Sequence, residues 1–143
     1  MKTSRYLIHR GAAALLLGSM LIVVGCVETP APHDPLADGK ASFEAYCVSC
    51  HGDGHGLGQL VSELKTLPAD LTELSLRNDG VFPVERVYQA IDGRNAIPEH
   101  GTREMPIWGN IWGYDDGAPV PQEVVDQRIN ELVEYIRSIQ ETS

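Results

Sequence analysis

The sequence predicts an all-α domain, about four to five short helices joined by long loops, and three observations carry that expectation. Apolar residues recur at helical spacing in two windows, Val84, Val87, Tyr88 and Ile91 in one, and Val125, Ile129, Leu132, Ile136 and Ile139 in the other. No stretch keeps the period-two alternation of a half-buried strand beyond a few residues. Between the periodic windows, Gly52, Gly54, Gly56 and Gly58, and later Pro98, Gly101 and Pro106, interrupt any regular element. A chain of 143 residues, 43% of them apolar, has room for one such domain beside a targeting segment.

The targeting segment comes first. Lys2, Arg5 and Arg10 form a basic start, and an apolar run from Ala12 to Val24 follows, the layout of a secretory signal peptide over residues 1–25. The run is shorter than the roughly 20 apolar residues that a membrane-spanning helix takes. It ends in Val23-Val24-Gly25-Cys26, which resembles the lipobox of bacterial lipoproteins, where the cysteine receives a diacylglyceryl group and becomes the first residue after cleavage. Cys26 is therefore the expected lipid attachment site, with the two acyl chains that stable anchoring requires. Residues 26–34, with Pro30 and Pro32, read as a lipidated tether leading to a domain at 35–143. Cleavage removes three of the eleven basic residues and none of the twenty acidic ones, from a chain whose formal net charge is already −9. Such a surface disfavours nucleic acid and anionic lipid, leaves membrane attachment to the acyl chains, and suits basic docking partners.

Asp34 as N-cap and Pro35 at the first helical position open a helix expected over 35–47, with Leu36, Gly39, Phe43 and Tyr46 or Cys47 along one face. At its end stand Cys47, Val48, Ser49, Cys50 and His51, a C-x-x-C-H run that reads as a covalent attachment site for c-type haem. Each thiol can add to a haem vinyl group, and the imidazole that follows is then placed to ligate the iron. Three other readings compete. A structural zinc site wants a second Cys/His pair, and none accompanies this one. A redox dithiol belongs at a strand-to-helix turn, whereas a helix-like stretch precedes this motif. A plain disulfide would leave His51 without a role. The odd cysteine count agrees with haem, since two thiols go to the cofactor and the third to lipid.

The alternating glycines after His51 would let backbone approach a flat ligand. Leu60 to Leu67 is expected to be a short turn or irregular cover, and Asp70 to cap a short helix through about Leu76 after the break at Pro68. A turn at Asn78-Asp79-Gly80 leads to a helix over 84–92 that Gly93 ends. Residues 94–108 form an extended loop that holds Met105, and 109–121 is a connecting segment with Trp112 and Tyr114. The last helix starts near Pro121, with Glu123 and Asp126 suited to its N-terminus.

The second axial ligand sets the chemistry. Of Met1, Met20 and Met105, the first two leave with the signal peptide, so the mature chain holds a single thioether. His55 lies too close to His51 to reach the opposite face, and His100 and His33 stand as rival ligands that would give a lower potential.

Cys47-Val48-Ser49-Cys50-His51-Gly52, Pro68-Ala69-Asp70-Leu71 and Met105-Pro106-Ile107-Trp108-Gly109, in that order, resemble a bacterial class I cytochrome c over nearly the whole mature chain. The resemblance implies the cytochrome c fold around one covalently bound haem c, with iron ligated by His51 and Met105. It implies a backbone carbonyl, here assigned to Pro68, that accepts a hydrogen bond from His51, and a crossing of first and last helices at Gly39 and Phe43 against Leu132 and Tyr135. It further implies electron transfer by Fe2+/Fe3+ cycling on the periplasmic side of a bacterial membrane, between redox proteins of unknown identity and with no small-molecule substrate. A fixed electron-transfer subunit of a larger oxidoreductase is the alternative, followed by a haem sensor or peroxidase-like enzyme with a labile sixth ligand. Segment 109–121 departs from the compact family pattern. It is expected to cover the haem edge and pack on the last helix, with Trp112 and Tyr114 as possible docking anchors. Arg94 and Arg103 stand within reach of a propionate or, by default, in solvent.

Overall fold

The computed structural model describes residues 32–95 and 104–141, so Cys26, the signal segment, His100 and Arg103 lie outside the described residues. Asp34 caps the first helix, α1 (Pro35–Tyr46), its carboxylate accepting from the Leu36 and Ala37 N–H groups at 3.1 and 3.4 Å. Cys47 joins α1 to a single-turn helix, α2 (Val48–His51), which Gly52 ends with φ at 60°. A 3-10 turn at Val61–Glu63 and another at Leu76–Asn78 punctuate the long connection to α3 (Val84–Asp92), where Gly93 takes the left-handed conformation expected of it. A short helix, α4 (Trp108–Ile111), precedes a two-residue antiparallel ladder, β1 (Tyr114–Asp115) with β2 (Ala118–Pro119), and α5 (Gln122–Ser138) closes the fold. Among the described residues the domain is all-α apart from that ladder, as the cytochrome c resemblance implied.

The most extensive packing is between α1 and α5. They meet at a glycine: a Cβ on Gly39 would stand 2.0 Å from the Glu131 carbonyl oxygen and 3.1 Å from the Tyr135 Cβ. The space beside it is filled by Phe43 and Tyr135, whose ring centroids lie 5.2 Å apart. Leu132 and Ile129 of α5 are fully buried, and Val87 and Ile91 of α3 join them in the core. The crossing expected of Gly39, Phe43, Leu132 and Tyr135 is thus formed.

Four local expectations need correction. Leu36 is 46% exposed, so the buried face of α1 narrows to Gly39 and Phe43, with Cys47 packed beside the core and Tyr46 lining the cavity against Trp108. Val84 is exposed at the start of α3, whereas Tyr88 packs against the core and its hydroxyl donates to Asp126 of α5. Asp70 to Leu76 makes turns rather than a helix, since its backbone polar groups are met from afar. Gln140 accepts from Ser75 N–H at 2.8 Å and donates to the Leu71 carbonyl at 2.6 Å. The alternating glycines let the loop pass close to other parts of the chain: a Cβ on Gly58 would lie 2.4 Å from the Ser49 oxygen of α2 and one on Gly54 3.0 Å from the Ile139 side chain, and none of the four lines the central cavity.

Candidate haem site

A cavity of about 520 Å³ opens between α1, α3, α5 and the loops, within the size range of cofactor sites. Cys47, Cys50, His51 and Met105 all line it, so residues 58 positions apart in the chain face one space. Its walls are otherwise largely apolar: Phe43, Leu64, Leu71, Leu74, Val87, Ile91, Leu132 and Ile136 among them. Charged and polar groups enter from Arg77, Asn78, Arg86 and Glu104.

The two thiols are free and half-buried at the end of α1 and the start of α2. Burial, with the neighbouring Cys50 adding to it, pushes the Cys47 thiol up to about 12. Among the described residues the three-ligand cluster of metal-binding side chains is His33, Asp38 and Glu131, away from the motif.

His51 is oriented by the 68–71 segment. Its Nδ1 lies 3.2 Å from the Ala69 carbonyl oxygen. A carbonyl only accepts, so Nδ1 carries the proton and Nε2 carries the lone pair that a metal would take. The acceptor is therefore Ala69 and not Pro68, whose carbonyl is turned toward Gly56: a Cβ there would lie 2.5 Å from the Pro68 oxygen. Gly56, at φ 74°, lets that strand of loop pass close beneath the motif.

The rivals to Met105 are placed elsewhere or outside the described residues. His33 lies 2.6 Å from Glu131 Oε1 on the α1/α5 side and does not line the cavity. His55 is held by Asp70 at 3.4 Å, and this hydrogen bond raises its pKa. Arg94 forms an ion pair with buried Asp92 at 2.6 Å and donates to Gln122, away from the cavity. Among the described residues the arginines that line the cavity are Arg77 and Arg86, neither of them singled out from the sequence. Pro83, Arg86, Val87, Ala90 and Ile91 share the cavity face of α3, a stripe set one residue round from the purely apolar one.

Trp112 is buried, 5% exposed, stacked on Trp108 at 4.9 Å and covered by the Arg128 guanidinium of α5 at 5.4 Å. It packs on the last helix as expected, which removes it as a docking anchor. Trp108, not Trp112, lines the cavity, and Tyr114 is 64% exposed on the ladder.

Cys47, Cys50, His51 and Met105 face one largely apolar cavity, an arrangement that a covalently attached haem would fit. Residues 34–136 match the family described as cytochrome c oxidase, cbb3-type, subunit III, and that span contains all four. The chain belongs to this cytochrome c family. It is similar to cytochrome c6 of Cladophora glomerata, 34% identical over 96 residues, which cover 66% of this chain and 91% of the relative. It is also similar to cytochrome c6 of Chlorolobion braunii, 37% identical over 93 residues, covering 64% and 90%. A third cytochrome c6, from a Synechococcus strain, is 31% identical over 90 residues, covering 62% of this chain and 74% of the relative. No solved structure matches. This cytochrome carries one covalently bound haem c and serves single-haem electron transfer.

Proposed function

We propose that this cytochrome is an exported, lipid-anchored carrier in which His51 and Met105 ligate the haem iron and Cys26 ties the domain to the periplasmic side of a bacterial membrane. The observation that supports it most is the pairing of His51, its Nδ1 turned to the Ala69 carbonyl, with Met105 in the same apolar cavity. Haem supplies one-electron exchange between ferrous and ferric iron. The chain's residues keep that exchange clean. Ala69 fixes the imidazole tautomer, the Met105 thioether would serve as a second ligand and keep others off bound haem, and Phe43, Val87, Leu132 and Ile136 would exclude water from it. A neutral sulfur ligand in an apolar setting favours the less charged ferrous state and raises the potential.

Among the described residues no helix is long and apolar enough to cross a membrane. A fixed subunit of a larger oxidoreductase is the second reading, and the family description that the chain matches favours it. The visible spectrum of the purified protein in both oxidation states tests the first reading. A thioether-linked haem with the far-red methionine-to-iron band in the ferric form is expected; a bis-histidine or high-spin spectrum would sink it.

A further inference from the structure

Glu104 immediately precedes Met105, and its carboxylate reaches across to a different loop. One oxygen accepts from the Lys65 backbone N–H at 2.8 Å, and the other from the Thr66 N–H at 3.0 Å. Those two amides stand between the 3-10 turn at Val61–Glu63 and Pro68, in a stretch without helix or strand. Three residues beyond Thr66, the Ala69 carbonyl meets His51 Nδ1. A single carboxylate therefore joins the segment that carries one proposed iron ligand to the segment that orients the other.

We infer that Glu104 is a positioning residue for the methionine ligand: by clamping 104–105 to Lys65 and Thr66 it fixes the spacing between the two cavity walls and so holds Met105 on the iron. This rests on the reading of Met105 as a ligand. A carboxylate suits the task because it offers two acceptor oxygens in one plane, and its charge-assisted bonds are about twice as strong as neutral ones. Glutamine would offer one acceptor and turn an NH2 against the second amide. Aspartate would keep the charge but fall one methylene short. Met105 is only half-buried, so the packing around it leaves this clamp a part in setting where the thioether sits.

The charge and the clamp pull the potential in opposite directions, which separates them. Removing a negative charge beside the haem favours ferrous iron and raises the potential. Loosening the thioether lowers the potential and admits other ligands.

The test follows imidazole binding to the ferric, haem-loaded protein, with the far-red band and the potential recorded, in wild type, Glu104→Asp, Glu104→Gln and Met105→Ala. Glu104→Asp, which keeps the charge and loses the reach, is expected to bind imidazole about tenfold faster, the scale set by losing a hydrogen bond to a charged group, and to show a lower potential. Glu104→Gln should fall between it and wild type, and Met105→Ala should bind fastest. Thr66→Pro, which deletes one donor and leaves the carboxylate, should act in the same direction as Glu104→Asp. Wild-type imidazole rates in Glu104→Asp and Thr66→Pro, with the far-red band retained, overturn the inference and leave Met105 ligation standing. A wild-type protein without that band overturns both readings together.

Discussion

Gly39 of α1 lies so close to α5 that a methyl group on it would sit 2.0 Å from the Glu131 carbonyl oxygen, inside any allowed contact. In an isolated helix, replacing glycine by alanine stabilises by about 1 kcal/mol. Here the neighbour is backbone and cannot swing aside, so the helices must separate and the Phe43–Tyr135 contact at 5.2 Å must loosen with them. Gly39→Ala is expected to destabilise the domain by about 1–3 kcal/mol, the usual cost of overpacking. Denaturant unfolding of the haem-loaded protein checks this, and an unchanged or raised midpoint would mean that the crossing yields more easily than its geometry implies.

How much of this was legible in the sequence follows from where the determining interactions lie. The Asp34 cap, the Gly93 stop and the bounds of α3 are local, and local residue chemistry located them. The attachment motif was legible because its chemistry is packed into five adjacent residues. The 70–76 segment was not, because the side chain that organises it, Gln140, stands 65 to 69 residues away. Ala69 was missed for Pro68 because a one-residue shift in a loop changes which carbonyl faces the imidazole and leaves no mark on composition. Arg86 was missed because an arginine on an apolar stripe looks like the solvent face until a cavity is found beside it.

His33 lies 2.6 Å from Glu131 Oε1 and 3.5 Å from Asp38 Oδ2, with Gln127 also donating to Glu131. The hydrogen bond to Glu131, ahead of the charges of Glu131, Asp38 and Asp34, raises the His33 pKa above its ordinary 6.5. Because the folded value is the higher one, the stabilisation is fully present below the unfolded pKa and is lost as pH rises through the folded pKa. The Tm difference between wild type and His33→Ala should therefore be largest in mild acid, below about 6.5, and shrink toward alkaline pH. His55 is raised in the same direction by Asp70, so the difference between the two proteins, rather than either curve, isolates His33. A pH-independent difference would mean that the pair does not titrate in this window.

Met105→Ala should leave haem attached, since Cys47 and Cys50 are untouched. With the thioether gone, the potential is expected to fall by a fraction of the roughly 0.8 V that axial ligands span, and carbon monoxide should bind the ferrous form readily. The alanine also removes packing beside the core, so spectrum and potential are the informative readouts, not stability alone. An unchanged ferric spectrum would remove Met105 from the site and turn attention to His100.

Cys26→Ser tests the proposed lipid anchor. Among the described residues no helix is long and apolar enough to cross a membrane, and the chain's formal charge of −9 works against adsorption to anionic headgroups. Two acyl chains on Cys26 would be enough to hold it, whereas one chain gives only marginal binding. The serine variant is therefore expected to move from the membrane to the soluble fraction with its haem spectrum unchanged, as followed by fractionation and haem staining. Retention that resists high salt but yields to loss of a second protein would instead place the chain in a fixed complex, because a partner interface, unlike an acyl anchor, disappears with the partner.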